Sequence, residues 1–290
     1  MLPRPRGREP EQIGSRDLTS WPSHVGRWLV QAAVELGRRA PWVGRLYGWS
    51  SANLAFVAFA VIALGLAVSL TRAAAEVYEA VTDRDGIAAV DEPVLDLAVD
   101  LRTPELNEAV TWFTDVGGPV GMPVLAVLVV GGLALHWRTW RPVVLAVVAA
   151  SGSLLMTVAT KGLADRARPP LELAVPPFES SPSFPSGHTL NATVVAAVVV
   201  YLVLLRSTAA WQRVLAVLTG SVFVLAMGLS RVFLGHHWLT DVIAGWALGL
   251  AWALAVVTAH RLVLTLRADP GKSSPTEAGP APAEGRAGAD

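Results

Sequence analysis

The sequence predicts an all-α integral membrane protein, built as a bundle of six transmembrane helices. Hydrophobic residues make up 53% of the 290 residues and charged residues only 16%, a balance far from that of a soluble globular domain. Several apolar runs reach the roughly 17 to 25 residues that a helix needs to cross a bilayer, and short polar segments separate them. We place the spans at about 53–70, 116–135, 142–160, 190–205, 214–229 and 238–259.

The spans divide the chain into a six-span domain, 53–267, and two polar ends. Residues 1–52 are rich in Arg and Pro and lack the apolar core of a signal peptide, so we expect a basic cytoplasmic tail. Residues 28–47 within this tail could form an amphipathic helix on anionic headgroups or could simply be solvated. Residues 268–290 are rich in Pro, Ala, Gly and Ser and are expected to be a disordered tail.

An acidic segment follows the first span and extends to Asp115. It carries eleven acidic residues against three arginines, so it is unsuited to the bilayer core. Apolar residues recur at helical spacing within 94–113, and we therefore expect interfacial helices between the first and second spans. The negative charge could also repel or gate anionic substrates. That hypothesis can be tested by neutralising Asp83, Asp85, Asp91 and Glu92.

The distribution of Lys and Arg orients the bundle, because cytoplasmic loops carry the excess of these residues. With the amino terminus inside, the inner segments hold sixteen of the 23 Lys and Arg residues and the outer segments hold seven. An even number of spans then places both termini in the cytoplasm. The two loops that carry the candidate site residues fall on the extracytoplasmic face.

Composition excludes several kinds of site and partner. The chain has no cysteine, which excludes disulfides, thiolate metal sites and a cysteine nucleophile. Its formal net charge is zero, so bulk charge gives no reason to expect a nucleic-acid partner. No cluster of carboxylates or histidines has the pattern of a metal site, and we expect neither a metal nor another cofactor. Nothing in the sequence specifies an oligomeric state.

The first candidate motif is Lys161 followed seven residues later by Arg168 and Pro169, after the third span. Seven residues make two helical turns. If the third helix continued to Arg168, both cations would project from one face and could clamp a single phosphate. Basic residues at the end of a span are also commonly membrane anchors. Asp165, between the two cations, is expected to be a structural residue of the loop.

The second motif, Pro185, Ser186, Gly187 and His188, directly precedes the fourth span. The first N–H groups of a helix lack intrahelical partners and carry the positive end of its dipole, so they suit phosphate oxygens. Ser186 can add a hydroxyl donor, and His188 can donate or accept a proton near neutral pH. The alternative is a simple helix cap followed by a surface histidine.

The third motif comprises Ser230, Arg231, His237 and Asp241 at the start of the last span. His237 and Asp241 are four residues apart, and on a helix that spacing places them on one face. The carboxylate can then hold one ring N–H and leave the other nitrogen free to attack. The alternative is an acid satisfied by local hydrogen bonds, but an acid inside an apolar span is costly and therefore indicates a functional role. His236 points away from that face and is expected to be a wall or interfacial residue. Arg231 could supply another phosphate contact.

Together these motifs resemble the three-part signature of the type-2 phosphatidic acid phosphatase family. The parts occur in order and without substitution, each at the outer end of a span. The resemblance implies that His237 attacks phosphorus and forms a phosphohistidine, that Asp241 orients it and that His188 protonates the leaving oxygen. Charge on the phosphoryl oxygens would be stabilised by Lys161, Arg168, Ser186, the Gly187 backbone N–H and Arg231.

The expected function is metal-independent hydrolysis of a lipid phosphate or pyrophosphate at the extracytoplasmic surface of the cell membrane. Undecaprenyl pyrophosphate, phosphatidic acid and phosphatidylglycerophosphate are candidate substrates. Two alternatives stay open: a phosphotransferase that uses the same phosphohistidine, and a non-catalytic membrane protein such as a transporter or scaffold. Haloperoxidases share the signature but are soluble, and six spans argue against that activity.

Overall fold

The structure is a computed structural model in which residues 12–13, 16–17 and 53–267 are described. A short antiparallel pair of strands, β1 (Gln12–Ile13) and β2 (Arg16–Asp17), precedes the helical part. Nearly all of the predicted cytoplasmic tail, its possible amphipathic helix and the predicted disordered end lie outside the described residues.

The described part of the chain contains eight α-helices. They are α1 (Leu54–Asp83), α2 (Asp91–Asp100), α3 (Pro104–Asp115), α4 (Gly121–Trp137), α5 (Arg141–Ala164), α6 (Gly187–Arg206), α7 (Ala210–Phe233) and α8 (Leu239–Arg267). Two 3₁₀ turns, Gly86–Val90 and Leu171–Leu173, lie in the connections. Residues Ala58–Leu262 form one compact unit, and the described residues on either side of it belong to a second.

Six apolar helices confirm the predicted fold class of an all-α membrane bundle. Five of the described helices, α1, α5, α6, α7 and α8, are long and apolar enough to cross a bilayer. Helix α4 is apolar but has only 17 residues, so it is about 26 Å long, slightly less than the hydrocarbon core of about 30 Å. Helices α2 and α3 occupy the connection between the first two apolar helices, as predicted.

The first helix is longer than its predicted span. We placed the end of that span near residue 70, whereas α1 has 30 residues and continues to Asp83. At 1.5 Å per residue it is about 45 Å long, which exceeds the hydrocarbon thickness of about 30 Å. The extension is rich in Ala and Glu, which favour helix in water as well as in lipid. The hydropathy pattern therefore predicts where the apolar run ends, but it does not predict where the helix ends.

Helix α6 lies at the centre of the bundle and contacts both α5 and α7. Its buried face packs against α5 and α8 in a cluster formed by Leu145, Ala149, Leu190, Val194, Val198, Leu202 and Val256. Small residues let α8 approach α6 closely: a Cβ at Gly249 would lie 2.8 Å from Cβ of Thr193, and one at Gly245 would lie 3.0 Å from the carbonyl oxygen of Ser186. The second motif therefore packs directly against α8, the helix that carries Asp241.

The short helices α2 and α3 stabilise the end of α7 and the loop that follows α5. Helices α2 and α3 both contact α7. Arg102, between them, donates from Nε to the Phe233 carbonyl at 2.7 Å and from Nη1 to the Leu173 carbonyl at 2.6 Å. Gly235, at the turn between α7 and α8, has a φ of 71°, where glycine is favoured. These contacts fix the connections in which the candidate site residues lie.

Candidate active site

The three predicted motifs meet at one end of the bundle. This end is formed by the C-termini of α5 and α7 and the N-termini of α6 and α8. The backbone N–H of Ser186 donates to the carbonyl of Asp241 at 3.1 Å, which joins the second motif to the third. The backbone N–H of Ser183 donates to the carbonyl of Arg166 at 2.8 Å, which joins the loop before the second motif to the first.

His237 lies between the motifs, in the turn just before α8, and only 1% of its surface is exposed. Its Nδ1 is 3.4 Å from Oδ2 of Asp241 and 3.4 Å from Oγ of Ser183. Its Nε2 is 3.2 Å from Nη1 of Arg168. His237 precedes α8, whereas the spacing prediction placed it on that helix. The Asp241 carboxylate nevertheless faces Nδ1 and leaves Nε2 directed at the cations.

The environment of His237 favours the neutral form of its ring. Burial lowers the pKa of His237 well below its ordinary value, and the charges of Arg168 and Arg231 lower it further. A neutral imidazole whose Nδ1 carries the proton has a lone pair at Nε2. The geometry therefore allows nucleophilic attack by Nε2, at the nitrogen farther from the carboxylate.

Asp241 is fully buried, with 0% of its surface exposed, and has partners on both oxygens. Oδ2 accepts from the Ser183 hydroxyl at 2.5 Å and from the Trp238 backbone N–H at 2.9 Å. Oδ1 forms an ion pair with Arg166. Neither Ser183 nor Arg166 was predicted as a site residue. In the sequence, the one signal for Arg166 is its position as a third cation inside the first motif.

Glu179 lies among the residues that are predicted to bind phosphate. Its carboxylate forms an ion pair with Arg231, lies 2.7 Å from Nη2 of Arg168 and lies 3.9 Å from Nδ1 of His188. Burial raises the pKa of Glu179, but the surrounding charges, Arg231 foremost, outweigh burial and lower the pKa to about 2. The cation cluster thus surrounds an ionised carboxylate of the protein itself, which was not predicted from the sequence.

Lys161 and Arg168 come together by a different route from the one predicted. Helix α5 ends at Ala164, and Asp165 has a φ of 33°, so the helix does not continue to Arg168 as the two-turn argument required. Instead, the side chains meet at Ser181: Nζ of Lys161 lies 2.8 Å from its hydroxyl, and Nη2 of Arg168 lies 3.1 Å from it. Asp165 shapes the turn, which is the structural role expected for it.

Ser186 and Gly187 form the N-terminus of α6, close to Lys161. The Ser186 hydroxyl is buried and accepts from the Thr189 hydroxyl at 2.9 Å and from the Thr189 backbone N–H at 3.5 Å. A Cβ at Gly187 would lie 4.0 Å from Cε of Lys161. The structure therefore gives Ser186 the helix-capping role that was its alternative, and phosphate binding by Ser186 and Gly187 stays a prediction.

The remaining predicted residues line the same end of the bundle. His188 is close to the turn before α4, where a Cβ at Gly118 would lie 3.7 Å from its Nε2. Arg231 is 2% exposed and donates from Nη1 to the Thr114 hydroxyl at 3.0 Å. Nε2 of His236 lies 2.6 Å from the Val175 carbonyl, which agrees with the expected wall position. Burial, followed by the charge of Arg231, lowers the pKa of His236 to about 4.

The described residues offer cations and hydrogen-bond donors for an anion. Within 53–267, no group of three or more His, Cys, Asp or Glu side chains is placed to hold a metal ion. The expectation of a metal-free site stays a prediction that requires a measurement.

Comparison with known proteins agrees with this architecture. The family model of the PAP2 superfamily matches residues 120–263, which contain all three motifs. Phosphatidylglycerophosphatase B of Bacillus subtilis (strain 168) is 34% identical over 168 residues, covering 57% of this chain and 81% of that protein. An undecaprenyl-diphosphatase of Sulfolobus acidocaldarius is 39% identical over 67 residues, 23% of this chain and 28% of that protein.

A solved structure shows the same fold. The crystal structure of a transmembrane PAP2 type phosphatidylglycerolphosphate phosphatase from Bacillus subtilis superposes with a TM-score of 0.61 and 29% identity, covering 68% of this chain and 96% of that one. The motifs, the apolar helices and these similarities agree with one another. The chain is therefore a multi-pass membrane protein that belongs to the PAP2 superfamily, the family of type-2 phosphatidic acid phosphatases.

Proposed function

We propose that the protein hydrolyses a lipid phosphate or lipid diphosphate through a phosphohistidine formed on His237. The observation that carries this proposal is the geometry of His237, whose Nδ1 faces Asp241 while Nε2 lies 3.2 Å from Arg168. Two relatives support the substrate class, since they are named as a phosphatidylglycerophosphatase and an undecaprenyl-diphosphatase.

In the proposed reaction, Nε2 of His237 attacks phosphorus, and the bond from phosphorus to the lipid oxygen breaks as the phosphorus–nitrogen bond forms. His188 gives a proton to the leaving oxygen. Water then attacks the phosphohistidine, gives its proton to His188 and releases inorganic phosphate, which restores the free Nε2 lone pair. Lys161, Arg168 and Arg231 stabilise the charge on the phosphoryl oxygens throughout.

Substrate binding requires the Glu179 carboxylate to move. A phosphate between Arg168 and Arg231 would compete for the same guanidinium groups that now pair with Glu179. Glu179 lies in the connection between α5 and α6, and 28% of its side chain is exposed, so it has space to move toward solvent. We therefore assign Glu179 the role of an internal anion that the substrate phosphate displaces.

The proposed site faces the extracytoplasmic side of the membrane. Support comes from the excess of Lys and Arg in the segments at the opposite end of the spans. A site at the ends of four apolar helices lies at the depth of lipid headgroups, where a phosphorylated lipid presents its phosphate. Both termini are then cytoplasmic.

The test is release of inorganic phosphate by the detergent-purified full-length protein in excess chelator. The substrates are undecaprenyl pyrophosphate, phosphatidic acid, diacylglycerol pyrophosphate, phosphatidylglycerophosphate and a soluble phosphate ester, each also tested with His237→Ala. Release that persists with chelator and disappears in the variant would support the proposal, and the ranking would define the lipid class. Transfer of phosphate to an added alcohol without phosphate release would instead favour a phosphotransferase.

A further inference from the structure

The first motif contains a second arginine, Arg166, that has no assigned role, and it connects two buried carboxylates. Arg166 forms an ion pair with Oδ1 of Asp241, and its Nη2 lies 2.7 Å from Oδ2 of Asp91. Its Nη1 donates to the Thr240 hydroxyl at 2.8 Å, and its guanidinium lies 5.6 Å from the ring centre of Trp238. Only 13% of the Arg166 side chain is exposed. Partners on several sides fix the guanidinium in one position.

Asp91 is the first residue of α2 and is buried, with 3% of its surface exposed. Its Oδ1 accepts from the Thr240 backbone N–H at 2.9 Å, and its Oδ2 accepts from the Thr240 hydroxyl at 2.6 Å. The N–H groups of a helix's first turn have no intrahelical partners. Asp91 therefore caps α8 from another helix, at the residue directly before Asp241.

These contacts distinguish Asp91 from the rest of the acidic segment. Asp83, Asp85 and Glu92, which were grouped with it as possible gates, are exposed. A buried carboxylate paired with Arg166 and Thr240 cannot face an approaching anion. For Asp91, the gating hypothesis is therefore replaced by a role inside the site.

We infer that Arg166 and Asp91 are positioning residues for the reaction, with Arg166 holding the Asp241 carboxylate toward His237 and Asp91 anchoring Arg166. The inference rests on the proposed function. Asp241 is fully buried, and an unpaired buried carboxylate would take up a proton or rotate toward other donors. In either case the Asp241 carboxylate would no longer hold the Nδ1–H of His237, and Nε2 would no longer be directed at phosphorus. Arg166 thus acts on the reaction through Asp241 and leaves substrate binding to the other cations.

The experiment compares Arg166→Gln, Arg166→Lys and Asp91→Asn with Asp96→Asn in the full-length protein. Asp96 is an exposed carboxylate on the same helix as Asp91, so it is a matched control. We measure kcat and KM for phosphate release from the best substrate of the panel, and the single-turnover rate of phosphohistidine formation. Thermal unfolding in detergent establishes that each variant is folded.

A positioning role predicts that kcat and the phosphohistidine rate fall together while KM stays within about twofold. We expect a loss of about 100-fold for Arg166→Gln and about tenfold for Asp91→Asn, both smaller than the effect of about 10⁴ on removing the orienting carboxylate in a serine protease. Arg166→Lys keeps the charge and should therefore recover part of the loss. The recovery should be incomplete, because an ammonium cannot bridge two carboxylates as a guanidinium does. Asp96→Asn should match wild type.

Three results would overturn the inference. They are wild-type kcat in Arg166→Gln, equal rates in Asp91→Asn and Asp96→Asn, and a loss in Arg166→Gln that lies in KM with kcat retained. If Arg166→Gln does not fold, Arg166→Lys and Asp91→Asn decide by the same criteria. A wild-type protein that releases no phosphate from any lipid would overturn the proposed function, which is a separate and distinguishable outcome.

Discussion

Two arginines only two residues apart, Arg166 and Arg168, form ion pairs with different carboxylates, and the two arrangements differ. The Asp241 cluster comprises Asp91, Arg166, Ser183, Thr240 and Asp241. The Glu179 cluster comprises Arg168, Glu179, His188 and Arg231. Both carboxylates of the first cluster are at helix N-termini, and 4% or less of each side chain is exposed, whereas Glu179 is in a connection and has 28% of its side chain exposed.

The difference indicates which part of the site is fixed and which part exchanges. Removing one partner of a buried ion pair costs about 3 to 5 kcal/mol, because it leaves an uncompensated charge, so the Asp241 cluster resists rearrangement. In the Glu179 cluster a phosphate can replace the carboxylate and keep the guanidinium groups paired. The first cluster is suited to hold the nucleophile, and the second is suited to accept a ligand.

The largest effect is expected at His237, the residue that faces both clusters. His237→Ala removes the nitrogen that attacks phosphorus, and we expect kcat to fall by about 10⁴-fold or more, as for removal of a nucleophile. Phosphohistidine should no longer form in a single turnover, measured by radiolabelled phosphate retained on the protein. His136→Ala, an exposed histidine at the far end of α4, is the control. Substantial turnover in His237→Ala would exclude His237 as the nucleophile.

The same chemical change in the two clusters should have opposite consequences. Asp241→Asn removes the charge that holds His237, and we expect kcat to fall by about 10³-fold to 10⁴-fold. Glu179→Gln removes the internal competitor, and we expect inorganic phosphate to bind about tenfold more tightly while kcat stays within a few fold of wild type. Product inhibition by inorganic phosphate measures this affinity. Weaker phosphate binding by Glu179→Gln would contradict the displacement of Glu179 by substrate.

Stability should depend on pH through the buried histidine beside the Glu179 cluster. The pKa of His236 is lowered to about 4 in the folded protein, first by burial and then by Arg231. In the unfolded chain, with a pKa near about 6.5, the ring binds a proton as the pH falls below that value, so unfolding becomes more favourable. The lost stability is about 2 kcal/mol at pH 5.

Thermal unfolding in detergent between pH 7 and pH 5 measures this dependence. His236→Gln keeps a neutral side chain that does not titrate, so its Tm should fall less steeply toward pH 5 than that of wild type. His136→Gln, at an exposed position, should keep the wild-type slope. Equal slopes for wild type and His236→Gln would show that folding does not lower the pKa of His236.

The smallest effect is expected from metal removal. The cations of the Glu179 cluster and the N-terminus of α6 can supply the positive charge that phosphoryl transfer requires. Phosphate release should therefore be unchanged, within about twofold, by excess chelator. A loss that added Mg²⁺ or Mn²⁺ restores would show that the reaction needs a metal ion. The test distinguishes a site whose own charged side chains are sufficient for the reaction from a site that also requires a metal ion.

The sequence by itself determined the features that short-range physics controls. A bilayer accepts long apolar helices and excludes charge. Composition and the length of the apolar runs were therefore enough to predict six apolar helices and the interfacial pair α2 and α3. Spacing along the chain was enough to pair His237 with Asp241, because only three residues separate them. The motifs were enough to identify the family.

Only the tertiary structure decided which distant side chains complete the site. Glu179 is 52 residues from Arg231, and Asp91 is 75 residues from Arg166, and no local periodicity relates such positions. Helix ends were equally undetermined, since α1 continues past its apolar run and α5 ends before Arg168. A buried charge is tolerated only where the packing of several helices brings it a partner, and that packing is a property of the folded bundle.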